Sequence, residues 1–219
     1  MKITICVLIA LFAAIAHGQS VSAPKLPADV FPDSLSRLPV VKRDALDDNG
    51  KRIYDLVVGA NRGTVLRGPG GVTMHSPKMA EPVQMLNTYL RNESVVGRRF
   101  FELCVLITAR ELDSQYEWTA HEAAALEAGV PGSVVDVVKH RKAVKGLDEK
   151  DATVIRLGRA LFRDHKVSSD LYAKTVALFG QQGALELSAV MGDYAMAAVM
   201  LTMVDHQLSP DRKPLLPVR

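Results

Sequence analysis

Glu117 and His121 stand four residues apart in the segment SQYEWTAH (114–121), and Ser114 precedes Glu117 by three. On a helix, offsets of three, four and seven place these side chains on one face. A carboxylate one turn from an imidazole can touch it, orient it and raise its affinity for a proton. Glu102 carries a second carboxylate, flanked by Phe100, Phe101, Leu103 and Cys104. Burying it unpaired is costly, so it must reach a cleft or find an indoor partner. If the two segments pair as a helical hairpin, Glu102 approaches His121. A carboxylate and an imidazole facing one apolar pocket are the minimum for general acid–base chemistry. The same residues also suit a plain surface ion pair, and Arg98, Arg99 and Arg110 are alternative partners for Glu102. Trp118 and Tyr116 offer pocket walls, and His75, just before Ser76-Pro77, is a further candidate lining residue. His140, His165 and His206 lie in polar surroundings and read as solvated.

The elements that must position these groups are helices. Residues 98–112 (RRFFELCVLITAREL) are apolar nearly all round, which predicts a central buried helix. Asp113-Ser114 breaks it, and the next helix runs to about 128, with Gly129 and Pro131 just beyond. Helices are also predicted over 48–59, 77–91 behind the Ser76-Pro77 start signal, 133–141, 148–165, from Ser168 or Ser169 to Gly180, and 184–205. Residues 60–73 read as a flexible glycine-rich loop: Gly68-Pro69-Gly70-Gly71 has neither the P-loop ending nor dinucleotide-binding spacing. Strand-like alternation is absent, and 5% aromatic residues suit packed helices. The reading is an all-α chain with no sheet.

Residues 3–16 form an uncharged apolar run behind Lys2, followed by Ala16-His17-Gly18, the pattern of a cleaved secretory signal peptide over 1–18. Ala23 is a second candidate boundary. A proline-rich arm over 19–43, a helical domain over 44–208 and an irregular tail over 209–219 complete the expected organisation. The expected address is secreted or periplasmic, with no membrane association after cleavage. Removing Lys2 lowers the formal charge of +3 by one. The charges are interspersed, which disfavours nucleic acid as a partner. Of two cysteines, Cys6 leaves with the signal, and Cys104 lies in an apolar helix beside Glu102, where a thiol is inert.

HSPKMA (75–80), residues 98–112, YEWTAHEAAALEAGVP (116–131) and PLLP (214–217) resemble the carboxymuconolactone decarboxylase family, which shares its fold with alkyl hydroperoxide reductase D-type peroxidases. The resemblance covers most of the chain beyond residue 75. It implies an orthogonal all-helical bundle, homo-oligomers (commonly trimers or hexamers) and a pocket at the central hairpin, often near a subunit boundary. The peroxidase branch has a glutamate, a CxxC pair and a histidine four positions later. Glu102 matches the glutamate and His121 the histidine, whereas Ser114 and Glu117 occupy the cysteine positions. Dithiol peroxide reduction then has neither nucleophile nor resolving thiol.

The function so expected is a lyase, decarboxylase or isomerase acting on a small lactone or keto acid without a cofactor or metal. His121, Glu102 and Glu117 are the catalytic candidates. Trp118, Tyr116, Ser114, Arg98, Arg99 and His75 are the substrate-binding ones. A non-catalytic exported oligomer holding a small hydrophobic ligand is the alternative, and it predicts a closed His121–Glu102 pair with no adjoining cavity. Redox chemistry through Cys104 or a metal held by Glu102, Glu117 and His121 is a third.

Overall fold

Every residue of the central helix from Phe101 to Arg110 is buried. The computed structural model describes residues 26–60 and 67–218; the expected export signal, with Cys6 and both cleavage boundaries, lies outside them. The described helices are α1 (Asp48–Ala60), α2 (Gly68–Thr73), α3 (Pro77–Asn92), α4 (Gly97–Glu111), α5 (Gln115–Glu127), α6 (Gly132–Lys139), α7 (Glu149–Arg159) and α8 (Ser169–Met203). Among the described residues no strand forms, and one isolated antiparallel bridge joins Phe31 to Ser36.

A helix apolar on all sides is stable only when neighbours cover every side, and α4 is packed by α5, α8, α7, α6 and α3. Its Phe101, Leu103, Leu106 and Ile107 are wholly buried. Burial of such side chains stabilises the fold by roughly 1.5–3 kcal/mol each. Ile53, Val57, Met74 and Ala80 form a separate small core beneath α1 and α3. Gly158 of α7 marks the tightest crossing: a Cβ there would collide with Ile107 Cγ2 and press on Met191. Gly158→Ala is therefore expected to lower stability by roughly 1–3 kcal/mol through overpacking, measured as a reduced urea midpoint. An unchanged midpoint would show that α4 and α7 can separate freely.

Caps and breaks follow the local chemistry. Asp148 accepts from the Lys150 N–H (2.9 Å) and Ser168 from the Leu171 N–H (3.2 Å). Ser76 stands at the N-cap of α3, but its side chain makes no cap bond. The expected stop at Gly180 is a kink inside α8, where φ is +72°. One expectation is corrected at 60–73. Residues 61–66 lie outside the described residues, but Gly68–Thr73 is a short helix rather than a loop, begun by Pro69. Gly68 has φ +66°, and a Cβ there would collide with the Tyr116 hydroxyl, so only glycine lets α2 sit this close to α5.

The described part of the arm folds as a packed turn, with Val30, Leu35 and Ser36 buried. The Arg37 N–H donates to Val204 O (2.8 Å) and the Gln207 N–H to Leu35 O (2.7 Å), clasping the arm to the end of α8. The tail docks too: Leu216 is buried, and Arg110 Nη1 donates to Pro217 O (2.9 Å).

Glu186 of α8 pins α3 and the α3–α4 turn. It accepts from Tyr89 Oη (2.5 Å), Ser94 Oγ (2.6 Å), the Val95 N–H (2.9 Å) and Gln182 Nε2 (2.8 Å). Burial alone would raise its pKa, yet these four donors outweigh it and hold the carboxylate down to about 2. Its contribution to stability is fully present above the ordinary value of 4.5 and is lost as pH falls through 2. Glu186→Ala is expected to cost about 2 kcal/mol at neutral pH. Unfolding curves of the two proteins should converge in strong acid, and a constant gap across pH would contradict this account.

Candidate active site

Helices α4 and α5 form the expected hairpin, and it brings Glu102 and His121 into contact. Glu102 Oε2 lies 2.8 Å from His121 Nδ1, and Glu102 Oε1 lies 2.6 Å from Arg98 Nη2. The Glu102 side chain is wholly buried. A carboxylate accepting at Nδ1 selects the tautomer with its proton there, which leaves the Nε2 lone pair free. Nε2 faces Glu117 Oε2 at 3.6 Å, the i, i+4 neighbour read from the sequence. Tyr194 of α8 closes the other side, its ring edge-on to the imidazole at 5.1 Å.

His121 and Glu117 line a cavity of about 370 Å³ between α2, α3, α5 and α8. Tyr116, Ala120 and Ala124 of α5 share the wall, and Met196, Ala197 and Met200 of α8 form its apolar part. Burial raises the Glu117 pKa from 4.5 to about 7; the neighbouring His121 and Arg91 oppose the rise, while Asp193 and Glu102 add to it. Burial likewise pushes the Tyr116 hydroxyl up to about 12. The cavity thus holds a carboxyl group poised near neutrality beside an imidazole with an open nitrogen, which suits proton transfer to and from carbon.

Of the two candidate arginines, Arg98 lines the cavity. Arg99 turns away, pairing with Asp151 (2.8 Å) and donating to Gly129 O (3.0 Å). Trp118 is a correction. Its ring is wholly buried in the core, with Nε1 donating to Glu122 Oε2 (2.5 Å) and Lys139 over its face. One residue along a helix turns the side chain by about 100°, so the neighbour of a cavity residue faces elsewhere. Ser114 serves at the N-cap of α5, its carbonyl accepting from the Trp118 N–H (3.1 Å), and does not line the cavity. His75 is exposed and contacts Pro39 O (2.9 Å), away from His121.

His206 is a second correction. It is half-buried rather than solvated, because the clasp at the end of α8 draws it inward. Its Nε2 accepts from the Gly68 N–H (2.8 Å), its Nδ1 contacts Gln207 O (2.9 Å), and its ring tilts against Tyr116. Burial lowers its pKa. His206 thereby fixes α2, which carries Pro69, Gly70 and Thr73 to the cavity wall.

The sequence reading missed Asn87 and Arg91 of α3 and Asp193 and Tyr194 of α8. Asn87 Nδ2 donates to Asp193 Oδ2 (2.8 Å), Arg91 Nε to Asn87 Oδ1 (3.3 Å) and Arg91 Nη2 to Tyr194 Oη (2.6 Å). The available signal was Asp193 itself, an acid in the middle of an Ala- and Met-rich helix. Cys104 is wholly buried and burial pushes its thiol up, as expected of inert core. Among the described residues no cluster of three or more His, Cys, Asp or Glu is placed to hold a metal ion.

This architecture is the alkyl hydroperoxide reductase D-like all-α fold. An alkylhydroperoxidase AhpD core, an uncharacterized peroxidase-related protein from Ralstonia eutropha JMP134, superposes with a TM-score of 0.65 at 14% identity over 80% of this chain and 93% of its own. The debrominase Bmp8 is similar in apo form, with a TM-score of 0.62, 11% identity and coverage of 80% and 91%. A variant of it in complex with 2,3,4-tribromopyrrole gives 0.60 and 11%, over 78% and 90%. At such identities the likeness is one of fold. No family model and no curated protein matches the sequence.

Proposed function

We propose that this chain is an acid–base enzyme of the lyase, decarboxylase or isomerase kind, acting on a small lactone or keto acid, with His121 as the proton-transfer group. The observation that carries the reading is His121 itself: Nδ1 is held by buried Glu102 while Nε2 faces Glu117 at a cavity of about 370 Å³. A non-catalytic pair would be sealed, with no cavity beside it. The volume lies at the lower end of the range for small-molecule sites. A fold relative has been solved with a small ring compound, 2,3,4-tribromopyrrole, which agrees with a ligand of that size.

His121 takes a proton from carbon next to a carbonyl, or returns one after a carboxylate leaves as carbon dioxide. Glu102 orients the imidazole. Glu117 holds or yields a proton near neutral pH. Dithiol peroxide reduction is disfavoured, since Ser114 and Glu117 stand where that chemistry puts thiols and Cys104 is sealed in α4. The working form we propose is an exported homo-oligomer, trimer or hexamer, freed of its N-terminal signal.

The test is proton NMR in deuterated buffer on a panel of small lactones and keto acids. Wild type should catalyse deuterium incorporation next to the carbonyl, or loss of carbon dioxide, in at least one compound. A protein inert across the panel, yet binding one of its members, would favour the ligand-holding alternative.

A further inference from the structure

Asp193 lines the same cavity as His121. Its residue surface is 7% exposed, and among the described residues it forms no ion pair within 4 Å. Its hydrogen bond comes from a neutral amide, Asn87 Nδ2, on one of its two oxygens. A carboxyl group so placed adds little to stability, because its desolvation is offset only by a neutral amide and by Arg91 acting without direct contact.

The surroundings fix this group for work in the cavity. Asn87 is itself oriented: its oxygen accepts from Arg91 Nε, so its nitrogen must face Asp193 Oδ2. Arg91 is held in turn by the Tyr194 hydroxyl and by the face of Phe101 at 5.0 Å. The next residue along α8, Tyr194, abuts the His121 ring. His121 is therefore anchored from α4 by Glu102, and Asp193 from α3 by Asn87, with one cavity between their helices. Burial raises the Asp193 pKa, against the lowering by Asn87 and Arg91.

From this placement we infer that Asp193 is a second proton-transfer residue, working with His121 to move a double bond in a small β,γ-unsaturated ketone or lactone. The inference rests on the acid–base reading above and narrows it to isomerisation. His121 Nε2 takes the proton from the carbon between carbonyl and alkene. The C–H electron pair passes into a dienolate. The far carbon of the dienolate takes the proton of the Asp193 carboxyl group, giving the conjugated isomer with no atom gained or lost. The imidazolium proton then returns to the Asp193 carboxylate through solvent in the open cavity.

Cyclohex-3-enone and α-angelica lactone are suitable probes, followed by proton NMR in deuterated buffer with the full-length protein. Wild type should exchange the proton next to the carbonyl and form the conjugated isomer. Asp193→Asn should lose about 10²-fold in isomer formation while keeping the exchange, since only the second transfer is removed. Asp193→Asn isomerising at the wild-type rate overturns the inference, as does equal loss of exchange and isomer. Wild-type exchange without isomer overturns it too, while leaving the broader acid–base reading in place. Absence of exchange with both probes defeats the inference; the broader reading is then judged on its own panel.

Discussion

His121→Gln is expected to reduce turnover by about 10²–10⁴-fold while leaving the thermal midpoint near that of wild type. The glutamine amide can donate to Glu102 much as Nδ1–H does, so the buried carboxylate keeps a partner beside Arg98. What disappears is the basic nitrogen at the cavity, for which an amide has no substitute. Deuterium incorporation into whichever compound wild type processes is the direct measurement. A variant that exchanges protons at the wild-type rate would remove His121 from the chemistry and, with it, the function proposed.

Glu117→Gln is expected to flatten the pH dependence of stability on the neutral side. In the folded protein the Glu117 carboxyl group titrates near 7, against an ordinary 4.5. Below 4.5 it is protonated in both folded and unfolded chains, and burial carries no ionisation cost. As pH rises from 4.5 to 7 the unfolded chain ionises first, so wild-type stability falls by about 3 kcal/mol and then levels off. Glutamine never ionises, so the variant should be the more stable protein at pH 8 by that order and roughly equal at pH 4. Urea denaturation at several pH values reads this directly. A Glu117→Gln variant less stable than wild type at pH 8 would mean that the carboxylate, not the acid, is the form the fold accommodates.

The helices were legible because their signals are local. A continuous apolar run announced α4, Pro77 opened α3, and Gly180 broke α8 where the reading stopped a helix. The Glu102–His121 contact was legible because both sit on consecutive helices joined by a tight break, so a hairpin was the simplest path. Trp118 was misassigned because α5 spreads polar and apolar residues around its whole circumference, leaving sequence nothing to tell cavity side from core side. Asn87, Arg91 and Asp193 were missed because they reach the cavity from helices far apart in the chain, and α3 and α8 meet only through tertiary packing. His206 was misread for the same reason: its partner Gly68 lies on the far side of most of the sequence.

The clasp between residues 31–37 and 204–207 has a consequence for the order in which the protein is made. A ribosome delivers Glu102, Glu117 and His121 well before His206, which seats α2. Until His206 has emerged, one side of the chamber stays unbuilt, and the growing chain holds an acid–base pair without its full enclosure.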